Sequence, residues 1–483
     1  MTDRMRTLPF ETLLTWIQTE LGNEGSVFGV PKELFFVPRN GAPYECTLFG
    51  HRLAAPIGPA AGPHTQLAQN IVSAWLCGGR FIELKTVQIM DELEIPRPCI
   101  DMEDEGYNVE WSQELRLDES LNEYVKAWVL VHVLRRLLGF EAMPFGTIFN
   151  MSVGYDLEGI QSGPMQRFMD TLRDASGPLN EIRNVLDRRF PGLADVVIPD
   201  RIVNSVTLST MHGCPPDEIE RIARYLLETH GLHTTIKLNP TLLGKATVLG
   251  ILNQDLGFAE IEIPDSVFDH DLQYGRAVEL IRSLQGIAAD RGLTFGVKLS
   301  NTLAMANHRK VLPGDEMYMS GRALYPVTIE LFRKLDREFG SDLNVSYSAG
   351  ADALNLPGLL SAGALPVTVA SDLLRPGGYM KLGQYLDNTA QHMKARGTRN
   401  LDELASHRVE ALSRLASEAL REPRYKKQYV CPDPPKVASP LTRFDCIAAP
   451  CIEACAVHQD VPEYAWWIAQ GAVSYTHLTL PTN

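Results

Sequence analysis

Cysteine is scarce in this chain, with eight residues in 483, far below the density of a disulfide-built domain. Basic residues are outnumbered, 45 Lys and Arg against 59 Asp and Glu, for a formal net charge of −14. That balance argues against nucleic acid as the main partner. No apolar run reaches the roughly 18 residues of a membrane-spanning helix, so no membrane insertion is expected. Arg4 and Arg6 fall in the first nine residues, but no apolar stretch of a secretory leader follows them. A cytoplasmic location is therefore expected. No internal repeat and no low-complexity tract is visible. No Gly-x-Gly-x-x-Gly follows an early strand-like run, which tells against a dinucleotide-binding doubly wound sheet.

What is present is ordinary globular material: 45% hydrophobic and 22% charged residues, enough apolar surface for a sizeable core. Residues 1–45 read as an N-terminal extension with one short amphipathic helix striped by Phe10, Leu13, Leu14 and Ile17. Residues 46–400 alternate strand-like and helical runs. Residues 401–442 read as a helix and a Pro-rich linker. Residues 443–472 hold a cysteine segment, and residues 473–483 break off without any pattern.

The middle region carries eight strand-like runs: Leu53–Ile57, Arg80–Leu84, Thr147–Met151, Val203–Leu208, Thr234–Leu238, Thr294–Leu299, Leu343–Tyr347 and Leu365–Ala370. Helical patterns separate most of them, the clearest beginning at Pro215-Pro216 and striped by Ile219, Ile222 and Leu226. Eight such units predict an α/β fold, a (β/α)8 TIM barrel with helical insertions. A ninth strand-like run, Ala259–Ile263, is expected as an excursion off the barrel.

Barrel chemistry sits at the C-terminal ends of the strands. The first strand is followed by Gly58-Pro59-Ala60-Ala61-Gly62-Pro63, whose small residues let a flat ligand approach the backbone; a plain turn would look the same. The second ends in Lys85-Thr86, the fifth in Lys237. A lysine at a buried strand end needs an anionic or electron-rich partner unless its tip reaches solvent. The fourth ends in Ser209-Thr210-Met211-His212-Gly213-Cys214 just before a helix. The dipole of that helix is expected to lower the Cys214 thiol, unless Cys214 is simply an inert packed residue. The sixth ends in Asn301-Thr302. Ala349-Gly350 after the seventh and Ser371 after the eighth stand where barrels commonly bind phosphate.

Cys446-x4-Cys451-x3-Cys455 has iron–sulfur or zinc spacing. Only three thiols are in register, so a complete 4Fe-4S cluster is not expected within this chain. Cys431 becomes a fourth ligand only if the Pro-rich linker folds back.

The strings GPAAGPHTQLAQN, GGRFIELKTVQI, TLSTMHGCPP, KLNPTLLG, DEMYMSGRAL and LLRPGGY resemble the flavin-binding barrel of dihydroorotate and dihydropyrimidine dehydrogenases. They are most similar to the branch of that family named for a selenate reductase subunit, over residues 5–472. The resemblance implies an FMN-binding oxidoreductase acting on a CH–CH bond. Ala60, Ala61 and Gly62 would pack on the flavin ring, with Lys85, Thr86 and Lys237 at its edge. Asn301 and Thr302 would hold the substrate, and Ala349, Gly350 and Ser371 the FMN phosphate. Cys446, Cys451 and Cys455 would open a truncated α-helical Fe–S domain, although Arg443 and Ala456 depart from the family's Cys and Pro. The remainder, with FAD and NAD(P)H sites, is expected beyond this chain, and residues 473–483 read as a non-native tail. Thr207 stands where the family has a substrate Asn, and Thr210 at the acid/base position. Cys214, with greater intrinsic acidity, is preferred to Thr210 as the proton donor.

A small-molecule substrate and redox partner subunits or domains are expected. Two other readings stand beside the flavoenzyme: a non-catalytic barrel acting as scaffold or docking subunit, and an aldolase-type barrel with a Schiff-base Lys85 or Lys237.

Overall fold

The structure, a computed structural model, describes residues 5–39, 41–89, 97–102, 105–109, 113–209 and 214–427, with 461 and 467–469. The chain divides into two units, Met1–Tyr429 and Val430–Asn483. The described residues of the second are Val461 and 467–469, all helical.

Eight strands form the barrel: β1 Ile57–Pro59, β2 Phe81–Glu83, β3 Ile148–Gly154, β4 Ser205–Ser209, β5 His233–Leu238, β6 Phe295–Leu299, β7 Asn344–Tyr347 and β8 Val367–Val369. They pair in parallel in the order β1-β8-β7-β6-β5-β4-β3-β2. The last seam, between β1 and β2, is bridged by the Arg80 N–H donating to the Ile57 carbonyl at 2.8 Å. Gly58 is required there, because a β-carbon on it would stand 1.8 Å from the Phe81 carbonyl oxygen. Helices cover the outside. Pro216–Glu228 buries Ile219, Ile222 and Leu226 as their spacing predicts.

The strands are short and apolar toward the helices, as a sheet covered on both faces requires. The interior is different. Glu83, Asn150, Ser205, Thr207, Lys298 and Thr368 are all buried and bond in two sets, Lys298 with Glu83 and Thr368, and Asn150 with Ser205 and Thr207. Ser205 Oγ donates to Asn150 Oδ1 at 2.8 Å, and Asn150 Nδ2 donates to Thr207 Oγ1 at 2.8 Å. The barrel centre is therefore a hydrogen-bonded polar network in place of the usual layers of branched aliphatic side chains.

Three expectations need correction. The first barrel strand is not Leu53–Ile57. Pro56 has no N–H to give to a ladder, so β1 starts at Ile57. Leu53 belongs instead to an antiparallel hairpin, Cys46–Leu48 with His51–Leu53, which packs Phe49 and Leu53 on Phe81 and Ile148. The run Ala259–Ile263 lies off the barrel as expected, but it is turn and coil. Asn253 Nδ2 donates to the carbonyls of Phe258 and Ile261, both at 3.1 Å, and Ile261 and Ile263 are buried. The third correction is an omission: an antiparallel sheet of Leu303–Ala306, Glu316–Met319, Tyr107–Asn108 and Ile100–Asp101, in that order. It stands over the C-terminal ends of β2 and β6, from which its strands emerge.

The helix Arg408–Ala419 is followed by Pro423–Tyr425, which docks on the barrel. Tyr425 stacks on Tyr325 with centroids 4.8 Å apart. Arg424 pairs with Asp352 at 2.7 Å, and Lys427 reaches the buried Glu105 at 3.0 Å. The rest of the Pro-rich stretch lies outside the described residues. Among the described residues no helix is long and apolar enough to cross a membrane.

Candidate active site

The strand ends open into one cavity of about 490 Å³, within the size range of cofactor sites. Its wall brings together residues far apart in the chain. Ala60, Ala61 and Gly62 follow β1, and Lys85 and Thr86 follow β2. Lys237 ends β5, and Asn301 and Thr302 follow β6. Ala349 and Gly350 follow β7, and Ser371 follows β8. All eleven cofactor and substrate candidates outside the strand-four loop line this single space.

Glu83 organises the floor. Its Oε2 accepts the Ala61 N–H at 2.8 Å, which fixes the turn after β1. The same oxygen takes the ammonium of Lys298, which also donates to Thr368 Oγ1 at 2.7 Å. Burial works against ionisation of Glu83, but the charges of Lys298 and Lys237 and the two hydrogen bonds outweigh it and hold the carboxyl below its ordinary value.

The two lysines at the cavity carry the opposite imbalance. Burial, followed by repulsion from Lys237, brings Lys85 down to about 7. Burial, followed by repulsion from Lys298, brings Lys237 down to about 8. Lys237 has no hydrogen bond or ion pair to a described residue. Two lysines, Lys298 and Lys237, thus act on one carboxylate, Glu83, while Lys85 feels the charges of Lys237 and Glu114. Among the described residues Lys237 has no ion-pair partner, so its ammonium faces the cavity ready for an anionic or electron-rich ligand, as a buried strand-end lysine demands.

On the other side, Asn301 Nδ2 donates to Asn239 Oδ1 at 2.6 Å, and Thr86 Oγ1 lies 2.8 Å from Ser152 Oγ. At the far end Ser371 Oγ donates to Ser320 Oγ at 3.1 Å. The turn after β8 is braced by Asp372, which takes Lys381 Nζ at 2.8 Å and the Tyr385 hydroxyl at 2.7 Å. Hydroxyls and small residues at this end, with cations at the other, fit a ligand with a phosphate and a flat electron-rich head. FMN meets that description.

Cys214 does not behave as its position before a helix suggests. Burial, followed by the carboxylates of Glu218 and Asp156, pushes its thiol up to about 11. The expected lowering by the helix dipole is overcome by desolvation and by the acidic first turn of that helix. Cys214 is also absent from the cavity wall. Thr210 and His212 lie outside the described residues, as do Cys431, Cys446, Cys451 and Cys455. Among the described residues no group of three His, Cys, Asp or Glu is placed to hold a metal ion.

The sequence left several wall residues unread. Tyr107, Asn108 and Tyr318 come from the antiparallel sheet, and Ser320 and Gly321 from the turn after it. His64 is buried beside the Gly62 turn. Burial lowers its imidazole to about 4, so it is neutral near pH 7. Asn150, on the third strand, faces the barrel interior and is spent on Thr207 and Ser205.

Residues 28–427 match the family described as "Oxidoreductase YgfK, N-terminal TIM-barrel domain". The chain is 46% identical to "Putative oxidoreductase YgfK" of Escherichia coli K12, over 96% of this chain and 46% of that protein. The same figures hold for the protein of that name in Escherichia coli O157:H7. The chain thus spans about half the length of these relatives. Among solved structures it is similar to DHODH from Eimeria tenella in complex with ferulenol, with a TM-score of 0.50 at 14% identity. That similarity covers 84% of this chain and 97% of the other; at such identity it speaks to the fold alone.

Proposed function

The chain belongs to the family of the N-terminal TIM-barrel domain of the oxidoreductase YgfK, and from that premise we propose that its barrel is an FMN-binding redox module. The observation that carries this reading is the convergence of Lys85, Lys237 and Ser371 on one cavity. Lys85 and Lys237 would hold the electron-rich edge of the flavin ring, and the backbone of Ala60–Gly62 would lie against its face. Ala349, Gly350 and Ser371, with Ser320, would hold the phosphate. Bound FMN would supply hydride transfer to or from a carbon–carbon bond beside a carbonyl or amide.

The chain's own residues have definite tasks in this proposal. Cations at the ring edge favour an anionic ligand state. Asn301 and Thr302 would orient the substrate. Proton delivery is assigned to the loop after β4; the last residue of that strand, Ser209, lines the cavity. Cys214 is the weaker candidate donor, since it stands off the wall, and Thr210 takes the preference. Electrons would pass through an iron–sulfur cluster to which Cys446, Cys451 and Cys455 contribute, from redox partners carrying FAD and NAD(P)H. A substrate outside the CH–CH class, selenate included, would reach the same electron path.

The test is flavin extraction and reconstitution. Purified protein should carry FMN, with absorbance near ~450 nm, and Lys85→Ala should weaken FMN binding at least about tenfold, or ~1.4 kcal/mol. A colourless protein that takes up no FMN would remove the reading.

A further inference from the structure

Lys237 and Lys298 are register partners on β5 and β6. Side chains at paired positions point to the same face of a sheet, here the barrel interior. Both act electrostatically on Glu83. Yet the carboxylate is taken by Lys298 alone, which Thr368 Oγ1 steadies from β8 at 2.7 Å. Among the described residues Lys237 is left without an ion pair, on the wall of the cavity.

We propose that Lys298 is a positioning residue whose task is to occupy Glu83, so that the ammonium group of Lys237 remains available to the ligand in the cavity. The ligand is taken to be FMN, and to that extent the proposal rests on the preceding reading. The physical argument is competition for one carboxylate. A buried carboxylate deprived of its partner is costly and takes whatever cation is within reach. If Lys298 were neutral, Lys237 would be the remaining lysine beside Glu83, and pairing would draw it off the wall. Lys298 therefore acts at a distance from the ligand, through Glu83 and then Lys237. Glu83 in turn keeps its hold on the Ala61 N–H, so the turn after β1 depends on the same pair.

The full chain is tested as wild type, Lys298→Met, Lys298→Met/Glu83→Gln, and Lys237→Met as the reference for a lost ammonium. Three quantities are measured. One is the rate at which acetic anhydride acylates Lys237 in the flavin-free protein near neutral pH, read by peptide mass. The others are the affinity for FMN and the midpoint potential of bound FMN. Lys298→Met should slow Lys237 acylation at least about tenfold, the equivalent of one pKa unit. It should also weaken FMN binding and lower the potential toward the Lys237→Met values. Adding Glu83→Gln should restore all three toward wild type, because the competing carboxylate is gone. A purely structural pair would leave the double variant no better than the single. Should Lys298→Met not fold, Lys298→Gln, which still donates to Glu83 but carries no charge, replaces it. Wild-type acylation rates in the single variant, or no recovery in the double, overturn the proposal. If wild type binds no FMN, the flavin reading falls and the acylation rates alone decide this one.

Discussion

The carbonyl oxygen of Gly321 lies 2.5 Å from the point where a β-carbon on Gly350 would stand. The two glycines come from different barrel units and meet at the hydroxyl-lined end of the cavity. Gly350 also has φ +63°, a conformation that side chains disfavour. At position 350 only glycine meets both the contact and the dihedral.

Gly350→Ala should therefore destabilise the protein by about 1–3 kcal/mol and weaken any phosphate-bearing ligand. Gly231, at φ +60° with nothing within 4 Å of its β-carbon position, is the control. Gly231→Ala carries the dihedral cost without the clash, so its loss in urea unfolding should be smaller. Equal losses would show that the contact with Gly321 is immaterial.

The depressed lysines make stability depend on pH with a definite sign. Lys85 loses its proton near pH 7 in the folded flavin-free protein, against an ordinary value of 10.5. Between these values the unfolded chain binds more protons, so stability rises with pH. Below about pH 7 both states are protonated and the full penalty of burying the charge applies. Lys85→Met should remove this contribution. The stability difference between the variant and wild type, from urea midpoints, should be largest in favour of the variant at pH 7 and shrink toward pH 10.5. A difference independent of pH would place Lys85 in solvent.

Cys214 should be a sluggish nucleophile. With its thiol near 11, alkylation by iodoacetamide should be slow at neutral pH and rise about tenfold per pH unit until that value is approached, since only the thiolate reacts. Rapid alkylation at pH 7 would restore the dipole-activated thiol. On the structural reading, Cys214→Ala leaves flavin binding unchanged and costs little turnover.

Much of this site was legible because the barrel strands are short, and polar or small residues interrupt their apolar runs just where each strand ends. Lys85, Lys237, Asn301 and Ser371 are visible on that ground alone. What could not be read depends on distant partners. The pairing of Tyr107 with Met319 joins segments more than 200 residues apart, and a two-residue strand leaves no periodicity to detect. The acidity of Cys214 is set first by burial, then by Glu218 in the next turn and by the distant Asp156; of these, local sequence shows only the carboxylate at the helix start. Ala259–Ile263 alternates apolar and acidic residues like an edge strand, but Asn253 captures its carbonyls before any strand can pair with it. The role of Lys298 needed the position of Glu83 on the opposite side of the barrel, which no spacing in the chain reveals.

The charged barrel centre also bears on how the strands find their alignment. Side chains alternate between faces, so a strand that slips by one residue carries its inward groups to the helix layer. In a barrel lined by valine and leucine such a slip exchanges one apolar contact for another. Here it would carry Glu83 or Lys298 away from its counter-ion and leave two buried charges stranded, at a cost of several kcal/mol. Such a pair is expected to penalise misaligned barrels more than it stabilises the aligned one. Lys298→Met/Glu83→Leu, with the charges replaced by apolar groups, should match or exceed wild type in urea stability yet return less native protein on rapid dilution from denaturant.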